Sequence, residues 1–445
     1  MIRRLLAWMK GSDSGLRLPW RMFWVGLAIR VLYITLGHSF HFRDFQDHFQ
    51  FGWEVGRIAR AVATGRGYSD PFIAPTGPTA WCPPVYPLML AGVFRLFGVY
   101  SSLSAWMILT INSIFSALTA VAVFEIGNRS FGRKVALWAG WIWALYPAAM
   151  QYAVHWIWEM AVTTCLLSFA LVIALRVRGV GESVPLTGPQ RSGLWAAFGV
   201  VWGLIALLNP SLLIFLPACG LWMFWGERGA ILHGVARVTL AAILCAACIA
   251  PWIWRNWVVF HVFVPIRPNF GAELYASSLE SNDGFPWGAA VAIYPATADQ
   301  QRYRAIGEIA FCKERGEMAK AIFRANPGRF TRYTWKRIYF FWVGVPHPIE
   351  KSFLTEVFRE LNYSFLSLSG VLGLALAIWR RRPGAGLYAS AFLLLPLVYY
   401  FVTVQARFRS PLEPLICVLG VYLFQSADTS RVWSWKTRPL VRDGE

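Results

Sequence analysis

The sequence predicts an all-α polytopic membrane protein of about ten transmembrane helices, with further helices lying on its outer surface and a small extracytoplasmic domain. Three observations carry that prediction. Of 445 residues, 57% are hydrophobic and only 15% charged, and the mean hydropathy of +0.46 leaves too little polar matter to cover a soluble chain of this length. Apolar runs at or near the length that crosses about 30 Å of hydrocarbon recur along the chain. The basic residues lie between those runs with the asymmetry that membrane orientation imposes.

Taken in order, the first run spans 19–38. It follows the basic start "MIRRLLAWMK" and polar "GSDSG", with no cleavage signal evident, and is expected to anchor the chain uncleaved. Further runs lie near 103–127, 134–150, 157–176, 193–209, 211–226, 234–257, 361–379, 386–403 and 410–426. "GNRSFGRK" (127–134), the loop 176–191, "GERG" (226–229), "WRRRP" (379–383) and both termini carry Arg and Lys, which marks them as cytoplasmic. Residues 39–102, the turn at 155–159, the stretch 258–360 and "QARFRSP" (405–411) then face outward. The expected organisation is an amino-terminal transmembrane module over 1–257 with its acidic first outer loop at 39–102, an extracytoplasmic region over 258–360, and carboxyl-terminal helices with a basic cytoplasmic tail over 361–445. Two more apolar stretches, 85–100 and 339–344, are read as helices at the outer interface, because crossing would upset the parity of the loops beyond them. Ile306, Ile309, Ala310, Met318 and Ile322 predict a helix across 298–324 in the outer domain.

A net charge of +19 invites a nucleic-acid reading. The basic residues are dispersed, however, and form neither a patch nor an interleaved basic-aromatic platform, so the bilayer and not nucleic acid is the expected partner. The seven cysteines argue for neither a disulfide framework nor a metal site, and Cys245 and Cys248 sit inside an apolar run as ordinary buried residues.

Only 23 residues are Asp or Glu, yet the first outer loop gathers Asp44, Asp47, Glu54 and Asp70. Phe51, Val55, Ile58 and Val62 recur at helical spacing, giving an amphipathic helix for the outer surface with Glu54 at the border of its apolar stripe. Asp47 lies about two turns earlier, so a helix reaching that far would place both carboxylates on one face. Paired there, they would form a general base for an acceptor hydroxyl or amine, or share a divalent cation. The competing reading makes Asp44, Asp47 and Asp70 solvated partners of Arg43, Arg57 and Arg60. Glu159 opens an apolar run, where a carboxylate calls for a partner or a function. His155, four residues earlier, would share its helix face, as a hydrogen-bonded partner or, with Asp47 and Glu54, as part of a cation site. Arg407 and Arg409 stand at the outer start of the last run, and Arg255 in "PWIWRNW" at another outer helix end. Guanidinium groups there suit phosphate oxygens or lipid headgroups. A substrate with a phosphate head and a lipid tail would fit such an outward cavity.

The acidic first loop leads to "IARAVATGRGYS" and "GPTAWCPPVYPLMLAGVFRLFG". After it come "FGRKVALWAGWIWALYPAAMQYAVHWIWE", "GLIALLNPSLL", "APWIWRNW" and "ARFRSPLEPLICVLGVY". In order and spacing these resemble the GT-C class of integral membrane glycosyltransferases, in the bacterial branch related to protein O-mannosyltransferases and lipid A aminoarabinose transferases. The resemblance implies an inverting hexosyl- or pentosyltransferase that moves a sugar from a polyprenyl-phosphate-sugar donor to a lipid, glycan or protein acceptor. It implies a site in the bacterial inner membrane, facing the periplasm or cell exterior. The catalytic acid would fall on Asp44, Asp47 or Glu54, with Asp47 and Glu54 favoured, and the second-loop acid on Glu159. Arg407, Arg409 and Arg255 would hold the donor phosphate. The adjacent acidic pair usual in the family is absent from the first loop. A divalent cation is optional, since arginines can stabilise a departing phosphate. A transporter or flippase of a lipid-linked sugar is the alternative; it would call for discontinuous helices related by an internal repeat, which the sequence does not display.

Overall fold

The computed structural model describes residues 17–45, 47–279, 297–345 and 353–427. The basic amino terminus and the carboxyl tail, both expected to be cytoplasmic, lie outside them. All regular structure among the described residues is helical, apart from a bridge between Ser69 and Pro78.

The amino-terminal half runs α1 (Arg17–Leu36), α2 (Glu54–Ala63), α3 (Val85–Phe97), α4 (Ser102–Phe131), α5 (Arg133–Leu145), α6 (Pro147–Val154), α7 (Met160–Val177), α8 (Gly188–Ala206), α9 (Leu216–Phe224) and α10 (Ile231–Phe260). The stretch expected to face outward follows as α11 (Phe270–Ser278), α12 (Ala298–Ile306), α13 (Glu308–Ala325) and α14 (Pro327–Val343). The chain closes with α15 (Phe353–Trp379), α16 (Ala385–Leu394), α17 (Leu397–Phe401) and α18 (Glu413–Ala427). Local chemistry sets many of these ends. The Ser101 hydroxyl caps α4 by accepting from the Ser104 N–H, and Thr187 and Gln190 form a reciprocal capping box at α8.

Among the described residues, α4, α7, α10 and α15 are long and apolar enough to cross a membrane by length and composition, and shorter apolar helices lie at 85–97, 385–401 and 413–427. Three of the apolar runs are not single straight helices. Run 134–150 bends between Leu145 and Pro147, run 211–226 divides around α9, and run 386–403 breaks at Pro396. Proline accounts for the first and last of these breaks, because it lacks the N–H that an internal turn would use. The outer helix expected across 298–324 is likewise split, at Gly307, whose φ of 78° is open to glycine at little cost.

Small residues set the helix spacing, as expected where lipid supplies no hydrophobic drive between helices. A Cβ at Gly127 would fall 2.9 Å from the Ala136 Cα, so α4 and α5 meet backbone to backbone. Arg30, a cation within α1, is buried and satisfied: it donates to the carbonyls of Gly26 (2.9 Å), Ala144 (2.8 Å) and Trp143 (3.3 Å) and to the Ser116 hydroxyl (3.1 Å). Helix α10 leaves most of its apolar surface uncovered, as a helix facing lipid does. A separate apolar cluster joins α2 and α3 to the ends of α4 and α7 through Phe51, Val55, Tyr86, Phe94, Ile108 and Ile157. A third, of Phe72, Trp81, Tyr303, Phe311 and Cys312, fastens the first loop to the outer region.

Candidate functional site

Helix α2 does not reach back to Asp47. Asp47, His48 and Trp53 have φ between 52° and 57°, and the chain turns through Phe49–Phe51 before α2 starts at Glu54. The two carboxylates therefore diverge. Asp47 accepts from Arg60 Nη1 (2.7 Å) and Nη2 (3.0 Å) and from Arg57 Nε (3.1 Å). Burial alone would raise its carboxyl, but hydrogen bonds and charge from Arg60, joined by Arg57, outweigh that and hold it below the usual range. Glu54 points instead into a cavity of about 430 Å³.

That cavity draws charged side chains from four distant segments: Glu54 at the first turn of α2, Glu159 just before α7, Arg267 and Glu273 around the start of α11, and Arg407 in the turn Ala406–Arg409. Burial raises all three carboxyls. Arg407 and Arg267 act in the opposite direction on each of them. Among the described residues, Glu54, Glu159 and Arg407 make no ion pair and no side-chain hydrogen bond to another residue; the two carboxylates accept from their own backbone N–H groups. Arg407 is held by stacking, its guanidinium carbon 3.8 Å from the centre of the Trp158 ring. Arg267 stands 3.7 Å from Glu273, which also accepts from Asn269 (3.4 Å).

The other charges singled out from the sequence do not line this cavity, and each has a protein partner. Asp44 is exposed and stands 3.6 Å from His48. Asp70 accepts from Arg66 and from the N–H groups of Thr76 and Gly77. Arg255 donates to the carbonyls of Thr79 (2.7 Å) and Tyr68 (2.8 Å). Arg409 is buried behind Arg407, between Glu413, Ser367 and the Tyr363 carbonyl. His155 meets the Tyr33 hydroxyl (2.8 Å) and does not share a helix with Glu159, because α6 ends at Val154 and α7 begins at Met160. Among the described residues no three His, Cys, Asp or Glu side chains gather closely enough to hold a metal, so Asp47, Glu54, His155 and Glu159 do not form the cation site considered from the sequence.

Arg267 and Glu273 escaped sequence reasoning. Their only local signal is "PIRPN", where Pro265 and Pro268 bend the chain back after α10. What brings them inward is tertiary: Gly271 lets α11 lie against α13, where a Cβ would fall 3.0 Å from the Gly316 Cα.

The Asp47 geometry carries a stability prediction. Asp47→Asn leaves Arg57, 1% exposed, without its carboxylate and is expected to cost about 3 kcal/mol. Since the folded-state value lies below the unfolded one, about 3.9, the stabilisation is complete above that pH and disappears as pH falls through the folded value. Thermal unfolding in detergent should separate the variant from the parent at pH 7 and bring them together in acid.

The fold is the GT-C fold of membrane glycosyltransferases, which the sequence motifs resemble. The oligosaccharyltransferase AglB of Archaeoglobus fulgidus, in complex with an inhibitory peptide and a dolichol-phosphate, matches 93% of this chain at a TM-score of 0.54 and 13% identity. The Archaeoglobus fulgidus oligosaccharyltransferase tethered to an acceptor peptide matches 92% at a TM-score of 0.55 and 12% identity. The chain spans about half the length of these proteins, 51% and 49%. ArnT from Cupriavidus metallidurans bound to undecaprenyl phosphate is similar over 92% of this chain and 78% of its own, with a TM-score of 0.41 and 15% identity. No family model matches the sequence, and no curated protein matches it.

Proposed function

We propose that this protein is an inverting glycosyltransferase that moves a hexosyl or pentosyl group from a polyprenyl-phosphate-sugar donor to an acceptor on the extracytoplasmic face of a bacterial plasma membrane. The observation that carries this reading is the convergence of Glu54, Glu159 and Arg407, none with an ion-pairing protein partner among the described residues, in one cavity on a GT-C fold. Charges left unpaired in a half-buried site are costly unless a ligand completes them. About ten crossings, with the basic loops in the cytoplasm, would turn this cavity outward.

In the proposed reaction the acceptor oxygen or nitrogen attacks the anomeric carbon, the bond from that carbon to the phosphate oxygen breaks, and the polyprenyl phosphate leaves with the electron pair. Glu54 takes the acceptor's proton. Glu159, which lines the same cavity as Arg407, orients the sugar. Arg407 and Arg267 stabilise the charge growing on the departing phosphate. A divalent cation is optional in this scheme, since guanidinium groups can stabilise the leaving charge.

Incubating the purified protein with donor lipid and envelope acceptors in detergent tests the reading. Release of free polyprenyl phosphate coupled to glycosylated acceptor is the expected result; a transporter would bind the donor and leave the glycosidic bond intact. The rate should also depend on pH with a definite sign. Burial raises Glu54 above the ordinary value of 4.5, and the base works only when deprotonated, so the rate constant should rise with pH through an apparent value above 4.5 and then level off. In Glu54→Gln that limb should vanish from whatever activity remains.

A further inference from the structure

The backbone at Thr79–Ala80 is gripped from two sides. From one, Arg255 at the end of α10 donates to the Thr79 and Tyr68 carbonyls (2.7 and 2.8 Å). From the other, the buried Glu308 carboxylate at the start of α13 accepts from the Ala80 N–H (2.7 Å), the Tyr303 hydroxyl (2.7 Å) and the Thr79 hydroxyl. The next residues along the chain, Trp81, Cys82 and Pro83, form one wall of the charged cavity. A second part of the lining is Arg267, Asn269 and Glu273, and the helix carrying Glu273 lies on α13 through Gly271 and Gly316. Glu308 thus sits where these two parts are joined, far from either terminus of the cavity's own segments in sequence. The ring contacts of Phe72 with Trp81 (5.0 Å) and Tyr303 (5.3 Å) fill the space around it.

A carboxylate removed from water is expensive, and an apolar side chain would have packed beside Phe72, Trp81 and Tyr303 without that cost. What the carboxylate adds is a fixed distance and direction between α13 and the 79–80 backbone, because it accepts three hydrogen bonds at once. We propose that Glu308 is a positioning residue that holds the Trp81–Cys82 wall against the Arg267–Glu273 segment and so sets the shape of the substrate cavity. Its importance for turnover rests on the transfer reaction proposed above; its hold on the wall does not.

Cys82 supplies a probe that needs no substrate. In the full-length protein in detergent, the rate at which Cys82 forms a mixed disulfide with a small methanethiosulfonate reagent, releasing methanesulfinate and followed by mass spectrometry, reads opening of the wall, and the buried Cys219 of α9 reports global loosening. Glu308→Ala should accelerate Cys82 labelling by about tenfold or more, because three donors lose their acceptor, while Cys219 stays unchanged. Glu308→Gln should stay within about twofold of the parent, since its carbonyl still accepts from Ala80 and both hydroxyls can turn to accept from its amide. An unchanged Cys82 rate in Glu308→Ala, equal acceleration at Cys219, or a Gln variant as fast as Ala would each overturn the proposal. Should Glu308→Ala fail to fold, Tyr303→Phe removes one of the three bonds and should accelerate labelling by about threefold; no acceleration would overturn the proposal equally. Faster labelling in a protein that never transfers sugar would leave this inference standing and remove only the proposed reaction.

Discussion

Replacing Glu54 or Glu159 by Gln is expected to lower sugar transfer by about 10²- to 10⁴-fold, the range a positioned acid or base contributes, while donor affinity changes little. Glutamine keeps the size and hydrogen-bonding reach of the side chain, so what is lost is the charge and the ability to take a proton. Neither carboxylate pairs with another side chain among the described residues, and a glutamine carbonyl can still accept from the residue's own N–H, so the fold should tolerate both changes. Removing an unpaired buried charge can even stabilise the protein, because burial already raises both carboxyls and the neutral side chain has no such cost. Initial rates at saturating donor, alongside thermal unfolding of the same preparations, check both halves of the expectation. The contrast with Asp47→Asn is the informative one: that variant should lose stability, and these two should lose turnover.

Replacing Arg407 by Ala should lower kcat by about 10²- to 10³-fold, the cost of deleting one preorganised group that stabilises developing charge. Its guanidinium lies against Trp158 at 3.8 Å and faces the cavity with its donors unclaimed by protein among the described residues. Contact with the Trp158 ring restrains the guanidinium before any phosphate arrives, which is what preorganisation requires. Arg407→Lys should recover only part of the loss, since an ammonium keeps the charge but neither the planar fork nor the stacking. Arg409→Ala differs in kind. Arg409 pairs with Glu413 and Ser367, so its removal should appear as loss of stability more than of rate. Steady-state kinetics of the three variants beside their unfolding temperatures would separate these effects.

The helical, membrane-embedded class was legible because composition and apolar run length are global properties that no single residue can hide. Glu54, Glu159 and Arg407 stood out for a local reason, each interrupting or bordering an apolar pattern. Asp47, Arg255 and Arg409 stood out for the same reason, yet the structure gives each a protein partner. Sequence cannot distinguish a charge that faces a cavity from one that faces Arg57 or the Thr79 carbonyl, because the difference lies in what folds against it. Periodicity also overreached where backbone conformation intervenes. The left-handed residues at 47, 48 and 53 stop α2 from extending back to Asp47, and the gap between Val154 and Met160 separates His155 from Glu159. Arg267 and Glu273 were invisible as site residues, since only the packing of α11 on α13 brings them to the cavity.

The most direct test of the central claim is a single-turnover incubation of parent, Glu54→Gln and Glu159→Gln proteins with labelled donor lipid and acceptor, recording donor bound and polyprenyl phosphate released from the same samples. The account predicts that all three bind the donor and that only the parent releases polyprenyl phosphate at an appreciable rate. Release at the parental rate by both variants would contradict it.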